Sequence, residues 1–296
     1  MIDLDRFLTP VDPRPWVLPV DHWSPTSAAM FQRCPEQYRR RYILHEKRRP
    51  AESLTVGSAV HRAVEENFRQ KVASHIDIPL PAILDWYDDV GWPETVEREQ
   101  ERAGEEIEWD TPPTMVEGRV TVSAAEKAGA RGRLMLSRYH EKVVPRVQPL
   151  AVEQEITLDL GLPVPIVGRF DVERDTTTID VKTGKSAAKK PKEDWRIQAL
   201  IYGEARGKPV EFHSVTATAK NTVSIYTPLE AEALLVDPTP HERVVLVDTL
   251  KALIWTANFY MAQFGPDEPW PFLGRFHNWA CDYCGYRPTC PAWRVE

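Results

Sequence analysis

The chain of 296 residues is long enough for one large domain or two ordinary ones, and its 42% hydrophobic and 27% charged residues are typical of a soluble globular protein. Its net charge of −7 excludes a uniformly basic nucleic-acid binder. Basic residues are nevertheless clustered, with seven Lys or Arg in residues 33–49 and five lysines in residues 182–192. Because salt screens charges over about 8–10 Å, such clusters can form a basic track on an acidic protein.

The start of the chain, Met-Ile-Asp-Leu-Asp-Arg, lacks the apolar region of a signal peptide. We expect no contact with a membrane, because the sequence predicts no apolar run long enough to span a bilayer. The sequence therefore predicts a cytoplasmic protein. In that compartment its four cysteines indicate metal binding or buried thiols rather than disulfides.

The first half of the chain is predicted to be mostly helical. Residues 1–25 contain five prolines and indicate an extended arm, and residues 26 to about 47 have apolar side chains at helical spacing. A second helix is predicted from residue 57 through residue 68. Residues 78–147 are polar and interrupted by prolines, and we expect them to form a helical insertion that acts as a cap or wall.

The second half alternates strands and helices. Strands are predicted near residues 151–160, 164–172, 177–182, 210–218 and 222–227. Helices are predicted near residues 192–206 and 240–263. This order of elements predicts an α/β fold with a mixed central sheet and helices packed on it.

Two short acidic motifs, Gly168-Arg-Phe-Asp171 and Asp180-Val-Lys182, lie on either side of a predicted hairpin turn. In that hairpin Asp171 and Asp180 are nearly opposite each other. Lys182 is two residues from Asp180, so both side chains leave the same face of the strand. Opposed carboxylates are unfavourable unless a positive group lies between them. The hairpin therefore predicts a divalent-cation site with a lysine beside it.

Polar side chains on two helices are further candidates for this site. Gln198 and Tyr202 lie four residues apart on one helix face and could contact the substrate backbone. His61 stands in an otherwise small and apolar helix, and imidazole suits a metal whose other ligands are carboxylates. Glu155, on the preceding strand, is a candidate additional ligand or a hydrogen-bond acceptor behind the ligands, and Glu153 competes for that role.

Four motifs follow one another along the chain: a helix containing Gly and His61, Gly-x-x-Asp171, Asp180-x-Lys182 and Gln198-x-x-x-Tyr202. Together they resemble the RecB-like branch of the PD-(D/E)XK nuclease superfamily. The resemblance covers roughly residues 24–74 and 150–293 and implies a restriction-endonuclease-like fold.

The resemblance also implies a division of roles within the site. His61, Asp171, Asp180 and the backbone carbonyl of Val181 would hold Mg²⁺ or Mn²⁺. Lys182 would orient or deprotonate the attacking water and stabilise the charge that develops on the phosphate. Such a metal acidifies water and polarises the phosphoryl oxygen.

The cysteines form a second group. Cys281, Cys284 and Cys290 follow a C-x2-C-x5-C spacing, and Cys34 precedes a proline far upstream. Four thiolates suit either a tetrahedral zinc or an iron–sulfur cluster, and the spacing does not decide between them. The pattern is similar to that of cluster-bearing RecB-like nucleases, including the CRISPR-associated exonuclease family and AddB-type nuclease domains. That resemblance implies a [4Fe–4S] cluster joining the two ends of the nuclease domain.

Together these features lead us to expect a metal-dependent DNA exonuclease, with single-strand preference and 5′→3′ direction implied by the resemblance alone. The alternative is a catalytically silent DNA-binding or assembly subunit of a nuclease or helicase–nuclease complex. Any helicase partner would be a separate chain, because the sequence carries no helicase motif. The residues expected to contact DNA are Lys185, Lys189, Lys190, Arg39 and Arg40.

The expected domain organisation has four parts. They are an N-terminal arm with helices (1–77), the helical insertion (78–147), the nuclease core (148–265) and a C-terminal cluster-binding segment packed on the N-terminal region (266–296).

Overall fold

The structure is a computed structural model, which describes residues 15–117, 119–184, 186–218, 222–271, 278–282 and 284–291. It contains two compact units. One comprises residues 1–46, 159–166 and 247–296, and the other comprises residues 47–158 and 167–246.

The regular elements follow the predicted order closely in the second half of the chain. The α-helices are α1 (Pro25–Arg33), α2 (Pro35–Tyr38), α3 (Glu52–Ser74), α4 (Leu80–Trp86), α5 (Trp92–Ala103), α6 (Ala124–Lys142), α7 (Glu193–Arg206), α8 (Pro240–Phe264) and α9 (Asn278–Asp282). The strands are β1 (Thr114–Val116), β2 (Arg119–Val122), β3 (Ala151–Leu158), β4 (Ile166–Glu173), β5 (Thr178–Gly184), β6 (Val210–Ala217), β7 (Val223–Tyr226) and β8 (Leu235–Val236). Single π-helical turns follow α2 and α4, at Arg39–Ile43 and Tyr87–Gly91.

A six-stranded mixed sheet forms the centre of the fold. Its order is β3-β4-β5-β6-β7, with β8 also paired to β6. The β4–β5 and β6–β7 pairs are antiparallel, whereas β5 and β6 are parallel and are connected through α7. A parallel pair requires such a crossover connection. The expected α/β fold with a mixed sheet flanked by helices is confirmed, and it is consistent with a restriction-endonuclease-like architecture.

The larger unit has one continuous hydrophobic core on one face of this sheet. Ile179 and Val181 of β5 and Val215 of β6 pack there with apolar residues of α3, α4 and α6. Tyr139 of α6 is fully buried and bonds to His213 of β6, with 2.7 Å between its hydroxyl and Nδ1. Helices from residues 78–147, which we expected to be an insertion, therefore contribute to the same core as the sheet.

The segment 78–147 differs from its predicted helical character in one place. A two-stranded hairpin, β1–β2, lies between α5 and α6, and it carries exposed apolar side chains such as Met115 and Val120. Helix α6 then begins at a complete capping box, in which Ser123 accepts from the Glu126 N–H and Glu126 accepts from the Ser123 N–H. This reciprocal pairing satisfies two of the donors that a helix start leaves free.

The smaller unit is organised around aromatic side chains. Tyr38 stacks on Trp23 with 4.8 Å between ring centroids, and on Trp270 with 6.2 Å. Phe31 contacts the edges of Trp23 and Tyr38. Trp23 and Trp270 are fully buried, so these rings supply much of the apolar area that holds the N-terminal and C-terminal segments of this unit together.

Helix α8 matches the helix predicted near residues 240–263, but it contains a longer apolar stretch than we expected. By length and composition alone it could cross a membrane, although 28% of its most apolar stretch is buried within the protein. Leu246, Leu250, Ile254 and Ala257 are the buried residues of one helical stripe. The core helix of a soluble protein meets the same criteria, so this helix is weak evidence for a membrane span.

Candidate active site

The two acidic motifs meet in the β4–β5 hairpin. Val172 pairs with Ile179 in the antiparallel ladder, and Asp171 and Asp180 are the residues that lie next to this pair on the two strands. Asp171 Oδ2 accepts a 2.6 Å hydrogen bond from the Val181 N–H. The carboxylate thus takes the place of a backbone acceptor at the point where the Asp180-Val-Lys182 motif of β5 begins.

Asp180 is almost completely buried, and its two carboxylate oxygens have different surroundings. Its Oδ1 accepts a 2.9 Å hydrogen bond from Gln198 Nε2. Lys182 Nζ lies 2.5 Å from Oδ2 but off the direction of a hydrogen bond, so Oδ2 has no hydrogen-bond donor among the described residues. Burying an ionised oxygen without a donor is unfavourable. This oxygen is therefore suited to accept a further positive group.

The two aspartates have pKa values shifted in opposite directions. Burial, reinforced by Asp171 and opposed by Lys182, raises the pKa of Asp180 to about 6. Burial acts on Asp171 as well, but His61, the Val181 N–H and Lys182 outweigh it and lower the pKa of that carboxyl. Two carboxylates this close do not ionise independently. Asp171 therefore carries its negative charge more readily than Asp180 does.

Gln198 and Tyr202 hold the acidic strand from helix α7. Gln198 Oε1 accepts a 2.6 Å hydrogen bond from Lys182 Nζ, and its Nε2 donates to both Asp180 and the Tyr202 hydroxyl. That hydroxyl donates in turn to the Arg169 carbonyl of β4, at 2.5 Å. The i,i+4 pair on one helix face is as predicted, but its hydrogen bonds are to the protein. These bonds orient Asp180 and Lys182, and a contact of either side chain with the substrate backbone stays a prediction.

His61 reaches this site from α3. Its Nδ1 lies 3.4 Å from Asp171 Oδ2. Burial would lower the pKa of His61, but the neighbouring Asp171 carboxylate raises it by a larger amount. The approach depends on Gly57, one helical turn earlier, because a Cβ there would lie 2.5 Å from Thr183 Oγ1 of β5. A close helix–strand approach thus explains the glycine of the motif.

Strand β3 contributes Glu153 rather than Glu155. Glu153 lines a small cleft together with His61, Asp171 and Val181, whereas Glu155 is exposed. Burial and the neighbouring Asp171 raise the pKa of Glu153. The backbone of Glu153 is in the left-handed region, with φ of 53°, so the strict alternation of a strand is broken there. Alternation alone would have assigned both glutamates to one face.

The basic residues expected to contact DNA fall into three groups. Lys189 and Lys190 are exposed in the loop after β5, and Lys185 lies outside the described residues. The predicted DNA contact of Arg39 and Arg40 is wrong, because both residues are buried in the smaller unit. Their guanidinium groups bond there to Glu36 at 2.7–2.9 Å.

Further bonds hold these two arginines in the interior. Arg39 Nη1 donates to the Pro266 carbonyl and Arg40 donates to Thr289, so the guanidinium groups are committed within the protein. Glu36 also accepts from the Trp270 N–H at 2.9 Å. Burial alone would raise the pKa of Glu36, but these donors together lower it. The basic cluster at residues 39–40 therefore stabilises the smaller unit.

The four cysteines all belong to the smaller unit and form no disulfide bond. Tight turns connect the C-terminal three: the Cys284 N–H donates to the Cys281 carbonyl, and the Cys290 N–H donates to the Arg287 carbonyl. Burial, with contributions from Cys284 and Cys290, raises the pKa of the Cys281 thiol. These three thiols are thus close enough to influence one another electrostatically.

The donor chemistry of the larger unit fits a hard divalent cation. Two carboxylates and an imidazole converge there, and one buried carboxylate oxygen has no hydrogen-bond donor. Within the described parts of the chain, no three His, Cys, Asp or Glu side chains are already arranged around a common metal position. The donors instead contact one another, as in the 3.4 Å approach of His61 to Asp171.

Fold and site agree with one family of hydrolases. Residues 22–291 match the PD-(D/E)XK nuclease superfamily, and the chain belongs to that superfamily. Membership supports a nuclease activity of the deoxyribonuclease type. It also indicates use of a divalent metal such as Mg²⁺, which members of the superfamily generally require.

Two solved structures are similar to parts of the chain. The crystal structure of SSO0001 has 20% identity and a TM-score of 0.31 over 49% of this chain and 61% of that one, which is less than two thirds of its length. A proposed exonuclease from Eubacterium rectale has 12% identity and a TM-score of 0.49, over 81% of this chain and 82% of that one. No curated protein sequence matches the chain.

Proposed function

We propose that this protein is a Mg²⁺- or Mn²⁺-dependent DNA exonuclease that acts on single-stranded DNA, in recombination, repair or viral DNA processing. The superfamily supports nuclease action on DNA. The exonuclease mode, the single-strand preference and the 5′→3′ direction rest on the resemblance to cluster-bearing RecB-like nucleases.

One observation carries this proposal: the surroundings of the Asp180 carboxylate. Its Oδ1 is fixed by Gln198, whereas its buried Oδ2 has no hydrogen-bond donor among the described residues and lies beside Lys182. An arrangement of this kind stabilises the protein poorly on its own but is suited to a bound cation. Perturbed carboxylates in a cleft are typical of functional sites.

Each polar side chain has a distinct proposed role. His61, Asp171, Asp180 and the Val181 carbonyl would hold the metal, which supplies Lewis acidity and an acidified water when bound. Lys182 would place its ammonium beside the phosphate and stabilise charge that grows in the transition state. Gln198 and Tyr202 would act through Asp180 and Lys182, and so we assign them positioning roles.

We also propose that Cys34, Cys281, Cys284 and Cys290 bind a [4Fe–4S] cluster in preference to zinc. Support comes from their location in one unit and from the mutual effect of the C-terminal thiols on the pKa of Cys281. Protein purified without air should absorb visible light, and Cys34→Ala should lose that absorption or aggregate. A colourless, folded and fully active Cys34→Ala protein would contradict the cluster.

The nuclease assignment is tested by digestion of end-labelled linear and circular DNA with Mg²⁺, with Mn²⁺ and with chelator. We expect metal-dependent loss of linear single strands, and Lys182→Ala should lower the rate by about 100-fold or more. Lys142→Ala is the matched control, because Lys142 is an exposed lysine at the end of α6. Equal digestion by wild type and Lys182→Ala would refute the proposed chemistry.

The same assay separates the alternative of a catalytically silent subunit. That alternative predicts DNA binding with no degradation under any of the three metal conditions. Digestion of the circular substrate would instead show an endonuclease. That result would agree with the proposed site and refute the exonuclease mode.

A further inference from the structure

A group of rings and lysines lies beside the candidate catalytic lysine, on the sheet face that α7 covers. Trp195, in the first turn of α7, packs on Phe212 of β6 with 5.5 Å between ring centroids. Lys192 Nζ lies 5.4 Å from the centroid of Trp195, and Lys182 Nζ lies 6.0 Å from it. The indole ring thus lies close to both the candidate catalytic lysine and exposed Lys192 of the following loop.

A second pair of the same kind lies two strands away. In the sheet register, Lys182 pairs with Ser214 of β6, and Ser214 pairs with Tyr226 of β7. Residues directly opposite each other share a sheet face, so Tyr226 lies in the same row as Lys182. Lys189 Nζ lies 5.1 Å from the centroid of the Tyr226 ring. The Ala188 N–H donates to Ser214 Oγ, which ties the lysine loop to this row.

We infer that Trp195 and Tyr226, with Lys192 and Lys189, form a binding platform for unpaired nucleotides of a single strand next to the scissile bond. This inference rests on the proposed nuclease function and adds the residues that select an unpaired strand. Both rings are half-buried, and both lysines are exposed. Part of each ring is therefore accessible to solvent.

The platform offers both contacts that sequence-independent single-strand binding requires. Bases stack on aromatic side chains, and lysines bind the intervening phosphates. In the free protein each ammonium lies over a ring, an interaction worth about 2- to 5-fold in an equilibrium constant at an exposed site. A stacked base is worth about 5- to 150-fold. A base is therefore expected to displace the ammonium from the ring and release it to a phosphate.

The distance between the candidate catalytic lysine and the strand of Tyr226 sets a footprint. Strands in a sheet lie about 4.8 Å apart, so the backbones of Lys182 and Tyr226 are separated by about 10 Å. At about 3.4 Å per stacked nucleotide this distance corresponds to about three nucleotides. A paired duplex cannot place its bases on the rings, because its bases are stacked within the helix. The platform therefore favours single strands over duplexes.

Electrostatics alone do not account for such a site. Exposed Glu193 and Asp194 follow Lys192 directly and offset part of the positive charge of the loop. Stacking should carry most of the affinity, and removal of one lysine should have a smaller effect than removal of one ring.

The test measures the Kd of a fluorescent 20-nucleotide oligothymidylate and of a duplex of equal length, in an Asp180→Asn background that prevents digestion. We expect Trp195→Ala and Tyr226→Ala each to raise the single-strand Kd about tenfold, and to change the duplex Kd less than about twofold. Trp195→Phe and Tyr226→Phe keep a ring and should stay within about threefold. Lys142→Ala is the charge control, because α6 packs through Tyr139 against His213 of β6, a position that alternates with the Ser214 row.

Several results would overturn the platform. One is an unchanged single-strand Kd in Tyr226→Ala, and another is an equal loss of single-strand and duplex binding. If Trp195→Ala does not fold, Tyr226→Ala and the two ring-retaining variants still decide the question. Digestion by the wild-type protein is measured in parallel. If single-strand binding depends on the rings but the wild-type protein digests no DNA, the proposed nuclease function alone is refuted. If the wild-type protein digests DNA but single-strand binding does not depend on the rings, the platform alone is refuted.

Discussion

Replacing Asp180 by asparagine should make the metal-free protein more stable while removing its proposed activity. The native carboxylate is buried, faces Asp171, and has one oxygen without a hydrogen-bond donor among the described residues. These conditions raise the pKa of Asp180 from 3.8 to about 6. The folded state therefore favours the protonated form, and ionisation of Asp180 lowers the free energy of unfolding.

The sign and size of this effect depend on pH. Between the two pKa values the folded state binds more protons than the unfolded state, so stability falls as pH rises through that window. Well above pH 6 the cost reaches its full value of about 3 kcal/mol, and at pH 5 it is roughly half of that. Asparagine does not ionise. Asp180→Asn should therefore gain about 3 kcal/mol at pH 8 and about half of that at pH 5.

The assay is urea unfolding at both pH values without divalent cations, followed by tryptophan fluorescence and far-UV circular dichroism. Coincident transitions are needed before one free energy is assigned. Asp171→Asn is the matched control, because the pKa of Asp171 is lowered and its ionised form stabilises the fold. That variant should be less stable than wild type at pH 8. An Asp180→Asn protein no more stable than wild type at pH 8 would refute this account of the site.

Three further variants test the surrounding structure. Gly57→Ala should destabilise the protein by about 1–3 kcal/mol, because its Cβ would meet Thr183 Oγ1, and Thr183→Ala should relieve most of that loss in a double-mutant cycle. Gln198→Ala should lower kcat with little change in the Kd for DNA, because Gln198 bonds to Asp180 and Lys182; an equal change in both would contradict its positioning role. Glu36→Ala should cost about 3–5 kcal/mol of unfolding free energy by removing the carboxylate that two buried arginines share, and a loss below about 1 kcal/mol would contradict this.

Local patterns in the sequence were sufficient to predict the acidic hairpin and the helix that supports it. The turn between β4 and β5 fixes the register, so the opposition of Asp171 and Asp180 follows from counting residues outward from it. The i,i+4 spacing of Gln198 and Tyr202 similarly follows from helix geometry. The spacing did not predict the hydrogen-bond partners of these two side chains. The Tyr202 hydroxyl, for example, donates to the Arg169 carbonyl, which belongs to a strand distant in sequence.

Long-range contacts and irregular backbone explain the remaining differences. Glu153 enters the cleft because its positive φ interrupts the strand alternation, and the sequence Val-Glu-Gln-Glu gives no sign of this. The burial of Arg39 and Arg40 did have a local signal. Glu36 precedes them by three and four residues, which is the spacing of helical ion pairs. A basic cluster with an acid at that spacing is thus a weaker indication of DNA contact than one without it.

The site concentrates its unfavourable electrostatics on one side chain. Asp171 is stabilised by His61 and by the Val181 N–H, so it remains charged and fixed. Asp180 Oδ2 lies beside Lys182 but accepts no hydrogen bond from the described residues, and Gln198 restrains the carboxylate through its other oxygen. A cation arriving at this position would reduce the repulsion between the carboxylates and bind Oδ2. The gain in stability on adding Mg²⁺ should therefore be large for wild type and small for Asp180→Asn, because the variant lacks the charge that the cation offsets.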